Sequence, residues 1–324
     1  MSWLITGGAG YIGSHVTRAM VAAGEDVVVL DDLSTGVAAR IPGVELVTGS
    51  VLDGGLVQRT LTDHAVRGIV HIAGKKQVEE SLRRPLFYYE ENVEGLRVLL
   101  QAAVATGVEA FVFSSSAAVY GAPDVELVHE DVPRAPINPY GATKLVGEWL
   151  IADVARASGL RHASLRYFNV AGAAAPELGD EGVSNLVPLV FQQLDQRRPP
   201  RIFGEDYDTP DGTCIRDFVH VADIASAHVA AAQALDRTAT DALTVNLGRG
   251  VGVSVREMVD TIRAVTGTAD EAWASPIVEP RRPGDPPRVV ASADRAAAAL
   301  GWTARHGVEE MVASAWAGWR ARRR

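Results

Sequence analysis

Short apolar runs rich in β-branched residues alternate with stretches of helical periodicity through the first half of the chain. The runs fall at residues 3–6, 27–30, 44–47, 69–72, 111–114 and 164–167. They are almost continuously apolar, as strands are when helices cover both faces of a parallel sheet. An α/β fold with a doubly wound parallel sheet is predicted, with a nucleotide-binding domain over residues 1–170. The rhythm then changes. Residues 172–182 read as a loop, an apolar helix follows around 187–194, and Gly- and Pro-containing loops return at 198–213 and 280–288. Residues 319–324 read as a solvated helix end whose cations suit the negative pole of the helix dipole. Residues 171–324 are expected to form a smaller α/β domain, mainly for substrate.

The chain has 324 residues, enough for two packed cores, and its net charge of −9 argues against nucleic acid or an anionic membrane surface as a partner. A single cysteine, Cys214, excludes an internal disulfide framework and a thiolate zinc cluster. The eight histidines show no metal-ligand spacing, so no metal is expected. No apolar run approaches the roughly 18 residues that span a bilayer. Residues 1–6 lack the basic and long apolar segments of a secretory signal, and a reducing, cytoplasmic compartment is expected. Of the 31 basic residues, 28 are arginine; the lysines are Lys75, Lys76 and Lys144. Where arginine serves the solvated faces, a lysine marks a place for a compact ammonium, and Lys144 is the strongest case.

The first run leads into Thr6-Gly7-Gly8-Ala9-Gly10-Tyr11-Ile12-Gly13. Glycines let backbone approach a pyrophosphate closely, and the helix opening near Tyr11 aims its positive end at the phosphates. The second run ends at Asp31, 18 residues beyond Gly13. A carboxylate there accepts from an adenosine ribose and repels a 2′-phosphate, which favours NAD over NADP. A turn that merely needs glycine leaves Asp31 unexplained.

Asn138-Pro139 signals a helix start, and Tyr140 and Lys144 follow at i, i+4 on one helix face. A free phenol, with a pKa of about 10, needs a shift of roughly three units, about 4 kcal/mol, to act as a base near pH 7. A lysine ammonium beside it and the positive nicotinamide ring supply that shift electrostatically.

The blocks at 6–15, 71–76, 113–121, 138–145, 165–169, 202–207 and 211–221 resemble the extended short-chain dehydrogenase/reductase family, in its nucleotide-sugar 4-epimerase branch. The likeness covers nearly the whole chain. It implies a Rossmann-type sheet to which later segments near 214–247 return. It implies that a UDP-hexose loses its C4 hydrogen to bound NAD and regains it on the opposite face, interconverting UDP-galactose and UDP-glucose. By this match Tyr140 is the base, Lys144 tunes it, and Ser116 bridges Tyr140 and the sugar O4. Cofactor contacts are implied for Gly7, Gly10, Tyr11, Ile12, Gly13, Asp31, Asp32, Ser34, Thr35 and Gly36. Further contacts would come from Ser50, Val51, Ile72, Ala73, Gly74, Lys76, Glu91, Ser114, Tyr140, Lys144, Tyr167 and Phe168. Substrate contacts are implied for Lys76, Ser116, Tyr140, Asn169, Asn185, Leu186, Arg201, Phe203, Arg216, Phe218, Arg282, Asp285 and Val289. The resemblance also implies a homodimer through segments 92–105 and 143–157, where Leu145, Val146, Trp149 and Leu150 offer apolar surface that core packing explains equally well.

The chain departs from the family pattern at several points. Ser50 stands where the family has an acidic residue near the adenine, so weaker NAD retention is expected. Glu91 adds a carboxylate near the cofactor, pointing either inward or to solvent. Ala118 replaces a threonine that would contact substrate. Val289 stands where some members carry a bulky tyrosine, leaving room for an N-acetyl group and extending the expected range to UDP-GalNAc and UDP-GlcNAc. A 4,6-dehydratase would need an acid–base pair where this chain has Ala117 and Ala118. A UDP-glucuronate 4-epimerase is a closer alternative, but Lys75 precedes the matched Lys76 and is expected to point elsewhere. A non-catalytic NAD-sensing regulator would typically have lost Tyr140 or Lys144.

Overall fold

The structure, a computed structural model, describes residues 2–237, 240–282 and 284–322. Pro283 of the expected loop and Arg323 and Arg324 of the expected solvated end lie outside the described residues. The strands are β1 (Ser2–Thr6), β2 (Val27–Asp31), β3 (Glu45–Thr48), β4 (Val66–His71), β5 (Ala110–Ser116), β6 (Arg161–Tyr167), β7 (Asn169–Ala171), β8 (Arg201–Phe203), β9 (Ile215–His220), β10 (Ala242–Leu247), β11 (Gly252–Ser254), β12 (Ile277–Glu279) and β13 (Arg288–Val289). The helices are α1 (Tyr11–Ala22), α2 (Gly54–Asp63), α3 (Val78–Arg83), α4 (Pro85–Tyr89), α5 (Gly95–Thr106), α6 (Pro139–Ser158), α7 (Leu186–Asp195), α8 (Val221–Asp236), α9 (Val255–Thr266), α10 (Asp294–Leu300) and α11 (Val308–Ala321).

Seven strands form a parallel sheet in the order β10-β6-β5-β4-β1-β2-β3. Side chains alternate across it: Trp3 and Ile5 enter a core with α1 and α8, while Leu4 enters the other with α2 and α5. Both faces are covered, which explains why the six runs read as almost wholly apolar. The seventh strand, β10, was not among those runs because Thr244 and Asn246 interrupt its apolar residues. The chain winds outward through β1, β2 and β3, then returns to place β4 on the other side of β1. That reversal opens a crevice at the C-terminal ends of β1 and β4, where ligands of such sheets bind.

The second lobe carries a four-stranded sheet of β7, β9, β11 and β13, and the separate pair β8–β12. The expected loop at 198–213 therefore contains a strand, β8, which gains its partner only from β12 some 75 residues later. The core of this lobe joins α7, α9 and α11 through Val187, Phe191, Met258, Ile262, Met311 and Val312. Of the later segments, β9 joins the small sheet, whereas α8 and β10 return to the large one, and Ala296 and Trp302 join its core as well. Trp319 corrects the expectation of a solvated end: it is 7% exposed, with its ring centroid 5.8 Å from that of Phe191. Its position seven residues after Val312 puts it on the apolar face of α11.

Candidate active site

The loop from β1 into α1 leaves no room for side chains. Gly7 has φ +71°, and a Cβ there would lie 2.8 Å from the Ala73 nitrogen. A Cβ on Gly13 would fall 1.9 Å from the Gly7 carbonyl oxygen. Helix α1 opens on Gly10 with no side-chain cap, leaving its first-turn N–H groups and positive pole for an anion. Ala73, whose N–H donates to the Thr6 carbonyl at 3.0 Å, closes the crevice from the β4 side. Bare backbone, an uncapped helix start and a switch point together fit the pyrophosphate of NAD.

Asp31 ends β2, and its carboxylate accepts from the N–H groups of Ala9 at 2.9 Å and Leu33 at 2.8 Å. It thus ties the glycine loop to the loop after β2, and each oxygen keeps a lone pair for a ribose hydroxyl. Burial raises its pKa, against those two N–H bonds. Gly36 lies so close that a Cβ would sit 2.7 Å from the Asp31 Oδ1. Asp32 is exposed and accepts from the Ser34 N–H at 2.9 Å and hydroxyl at 2.7 Å, with exposed Thr35 next in the turn. Ser50 accepts from the Leu52 N–H at 3.1 Å, so part of its hydrogen-bonding capacity is used in its own turn. Val51 and Ile12 pack against the two cores.

On the β4 side, Ile72 donates its N–H to the Thr6 carbonyl at 3.1 Å, and Gly74 takes φ +154° beside Asn92. The Lys76 Nζ lies 5.8 Å from the Tyr11 ring centroid, and the Tyr11 hydroxyl donates to the Gly172 carbonyl at 2.7 Å. Lys75, expected to point away from the sugar, reaches toward the loop after β2. Its Nζ lies 3.6 Å from the Glu91 carboxylate and 3.5 Å from the Ser34 hydroxyl, so the Glu91 charge has a partner.

Asn138 accepts the Gly141 N–H at 2.8 Å and caps α6, with Pro139 at its first turn. That start sets the phase in which Tyr140 and Lys144 share a face. The Lys144 Nζ donates to the Ser114 carbonyl at 2.8 Å and lies 5.0 Å from the Phe113 ring centroid. Burial lowers the Lys144 pKa to about 8, against the attraction of Glu148. Burial raises the Tyr140 pKa, and its hydrogen bond with Ser116 works the other way. Ser116 ends β5, and its Oγ also accepts from the Ala118 N–H at 3.2 Å. Tyr167, half-buried, is raised by burial and by the nearness of Tyr140, while Phe168 is buried with Tyr120 and Leu145. The buried Ser114 hydroxyl pairs with His228 Nε2 at 3.0 Å.

A buried ion pair behind Lys144 escaped the sequence reading. Arg166 donates from Nε to Glu148 Oε1 at 2.8 Å and from Nη2 to Oε2 at 2.6 Å. Ser115 adds a third bond to Glu148 at 2.5 Å, and Arg166 also donates to the Tyr120 hydroxyl at 2.7 Å. The spacing Tyr140, Lys144, Glu148 was the available signal, since all three lie one turn apart.

In the second lobe, Arg216 forms an ion pair with Asp285, and the Arg282 guanidinium stacks 4.1 Å from the Phe203 ring centroid. Val289 pairs in register with Arg216, and Asn169 with Phe218. Asn185 is exposed and donates to Asp180 at 3.3 Å, and Leu186 packs against the lobe core. Arg201 is exposed and pairs with Glu279 at 3.6 Å across β8 and β12. Phe218 is a correction: at 3% exposure its ring belongs to the core with Ala171, Val187 and Val253, because it lies on the inward side of β9.

A model of the NAD dependent epimerase/dehydratase family matches residues 3–248. The UDP-glucose 4-epimerase of Azospirillum brasilense is 48% identical over 308 residues, covering 94% of this chain and 87% of its own. The crystal structure of UDP-glucose 4-epimerase from Stenotrophomonas maltophila, with bound NAD and formylated UDP-arabinopyranose, superposes with TM-score 0.93 at 40% identity, covering 100% of this chain and 99% of that one. That of the Bifidobacterium longum UDP-glucose 4-epimerase, in complex with NAD+ and UDP, gives TM-score 0.90 at 33% identity, with 99% and 98% covered.

Proposed function

The chain belongs to the NAD dependent epimerase/dehydratase family, and from that premise we infer that it inverts C4 of a UDP-hexose, interconverting UDP-galactose and UDP-glucose. The observation that carries this reading is the position of Tyr140, Lys144 and Ser116 at the end of β5, beside the glycine crevice. When bound, NAD supplies a reversible two-electron acceptor for the C4 hydrogen. Tyr140 removes the O4 proton as the C4–H bond breaks, leaving a 4-keto sugar, and Ser116 holds the phenol and O4 in line. The keto sugar turns over, its other face takes the hydrogen back, and Tyr140 returns the proton to O4. In this reading Lys144, held by the Ser114 carbonyl, is the cation that must offset the burial that raises the Tyr140 pKa.

Arg216 and Arg282 suit the UDP pyrophosphate as permanently charged planar donors, with Asp285 for the uridine ribose. Asn169, Asn185 and Leu186 line the sugar–phosphate end in this reading. Val289 adjoins Arg216 in the sheet, and its small side chain leaves space for an N-acetyl group. The reaction runs in the cytoplasm, where a free thiol such as Cys214 stays reduced. The enzyme is a homodimer: Leu82, Leu86, Val104 and Trp149, at 61, 84, 47 and 52% exposure, lie on α3, α4, α5 and α6, and α6 touches the other three. Leu145 belongs to the core, so Trp149 carries the apolar surface of α6.

The test is proton NMR of the anomeric region with purified protein and UDP-galactose, without added NAD. UDP-glucose is expected to accumulate to a fixed ratio. Silence even after NAD is added overturns the reading.

A further inference from the structure

Glu91, a departure from the family pattern, meets Lys75 in space. Lys75 follows β4, and Glu91 lies in the wide helical turn Glu90–Glu94 that continues α4. The Lys75 Nζ is 3.6 Å from Glu91 Oε2, with side-chain exposures of 25% and 22%. It also donates to the Ser34 hydroxyl at 3.5 Å, in the loop after β2. In the sheet, β1 lies between β4 and β2. A side chain that reaches from the β4 loop to the β2 loop therefore passes over the end of β1, where the glycine loop begins.

The base of this lysine is held firmly. Asn92, 5% exposed, accepts the Lys75 N–H at 2.7 Å and donates to the Lys75 carbonyl at 3.0 Å and to Thr143 at 3.1 Å. The ammonium lies 5.6 Å from the Phe87 ring centroid, and its charge acts on the carboxylates of Asp31 and Asp32. A fixed stem, a paired head and a crossing over the crevice are what a clasp requires.

We propose that Lys75 is a cofactor-clasp residue: directed by Glu91, its ammonium closes the crevice between the loops after β4 and β2 and slows the loss of NAD. This rests on the reading of the crevice as the NAD site. Lys75 also pairs with a carboxylate that would otherwise stand uncompensated on the β4 side of the crevice. The loss of the acidic residue at Ser50 is thereby offset from the opposite side of the crevice.

The experiment measures NAD release from purified, NAD-loaded enzyme after rapid desalting, for the unmodified chain, Lys75→Met and Lys75→Met/Glu91→Asn. Thermal melts confirm that each variant folds. Release from Lys75→Met is expected to be at least threefold faster, with the double variant falling between it and the unmodified chain. A smaller acceleration, or a double variant as fast as Lys75→Met, overturns the proposal. If the unmodified chain takes up no NAD at all, the assignment of the crevice fails instead.

Discussion

The Lys144 ammonium donates to the main-chain carbonyl of Ser114 at 2.8 Å, pinning the Tyr140–Lys144 face of α6 to β5 two residues before Ser116. Tyr140, Lys144 and Ser116, the base, tuning cation and bridging hydroxyl of the proposed reaction, thus lie on the two elements this bond joins, 30 residues apart in the chain though Lys144 and Ser114 are. Tyr140→Phe keeps the Lys144–Ser114 bond and removes the proposed proton acceptor together with its hydrogen bond to Ser116. Turnover is expected to fall by about 10²–10⁴-fold with NAD content unchanged, read by NMR and by absorbance of the released cofactor. Lys144→Met should lose activity to a similar extent.

Burial of the Glu148–Arg166 pair makes its halves interdependent. Glu148→Ala leaves a guanidinium that is 2% exposed without its carboxylate, a loss of about 3–5 kcal/mol that urea unfolding would register. Lys144 also loses a favourable charge, so the alkaline limb of the pH–rate profile should move to lower pH.

Four buried histidines predict acid lability. Burial lowers His15, His220 and His228 to about 4 and His71 to about 3. Between those values and the ordinary histidine value of 6.5, the unfolded chain binds more protons than the folded one, so stability is present above pH 6.5 and is lost as pH falls toward 4. Near pH 5 the four together give a slope of up to about 5 kcal/mol per pH unit. Unfolding curves at pH 7, 6 and 5 check this, and His228→Asn should reduce the slope by about a quarter.

Gly13→Ala would place a methyl 1.9 Å from the Gly7 carbonyl oxygen, so the glycine loop must move away from α1. Purified variant is expected to carry less than about a tenth of the normal NAD, measured by absorbance after denaturation.

Val289→Tyr tests the width of the sugar pocket. UDP-GalNAc turnover should drop by about tenfold or more while UDP-galactose turnover stays within about threefold, since on the proposed assignment one added ring fills space that only an N-acetyl group would use. Equal losses for both substrates would contradict the assignment.

The amino-acid sequence by itself determined six of the seven strands of the central sheet, the glycine crevice with Asp31 and the shared face of Tyr140 and Lys144. These are local: strand and helix periods, a turn chemistry and an i, i+4 spacing operate within a few residues. Only the tertiary structure decided which charges meet. Arg216 finds Asp285 across 69 residues, Arg166 finds Glu148 from the adjoining strand, and Lys75 finds both Glu91 and Ser34. Packing also took Trp319 and Phe218 out of solvent and site and into a core. Such pairings depend on how separate elements dock, and a side chain's period along its own element fixes its face but not its partner.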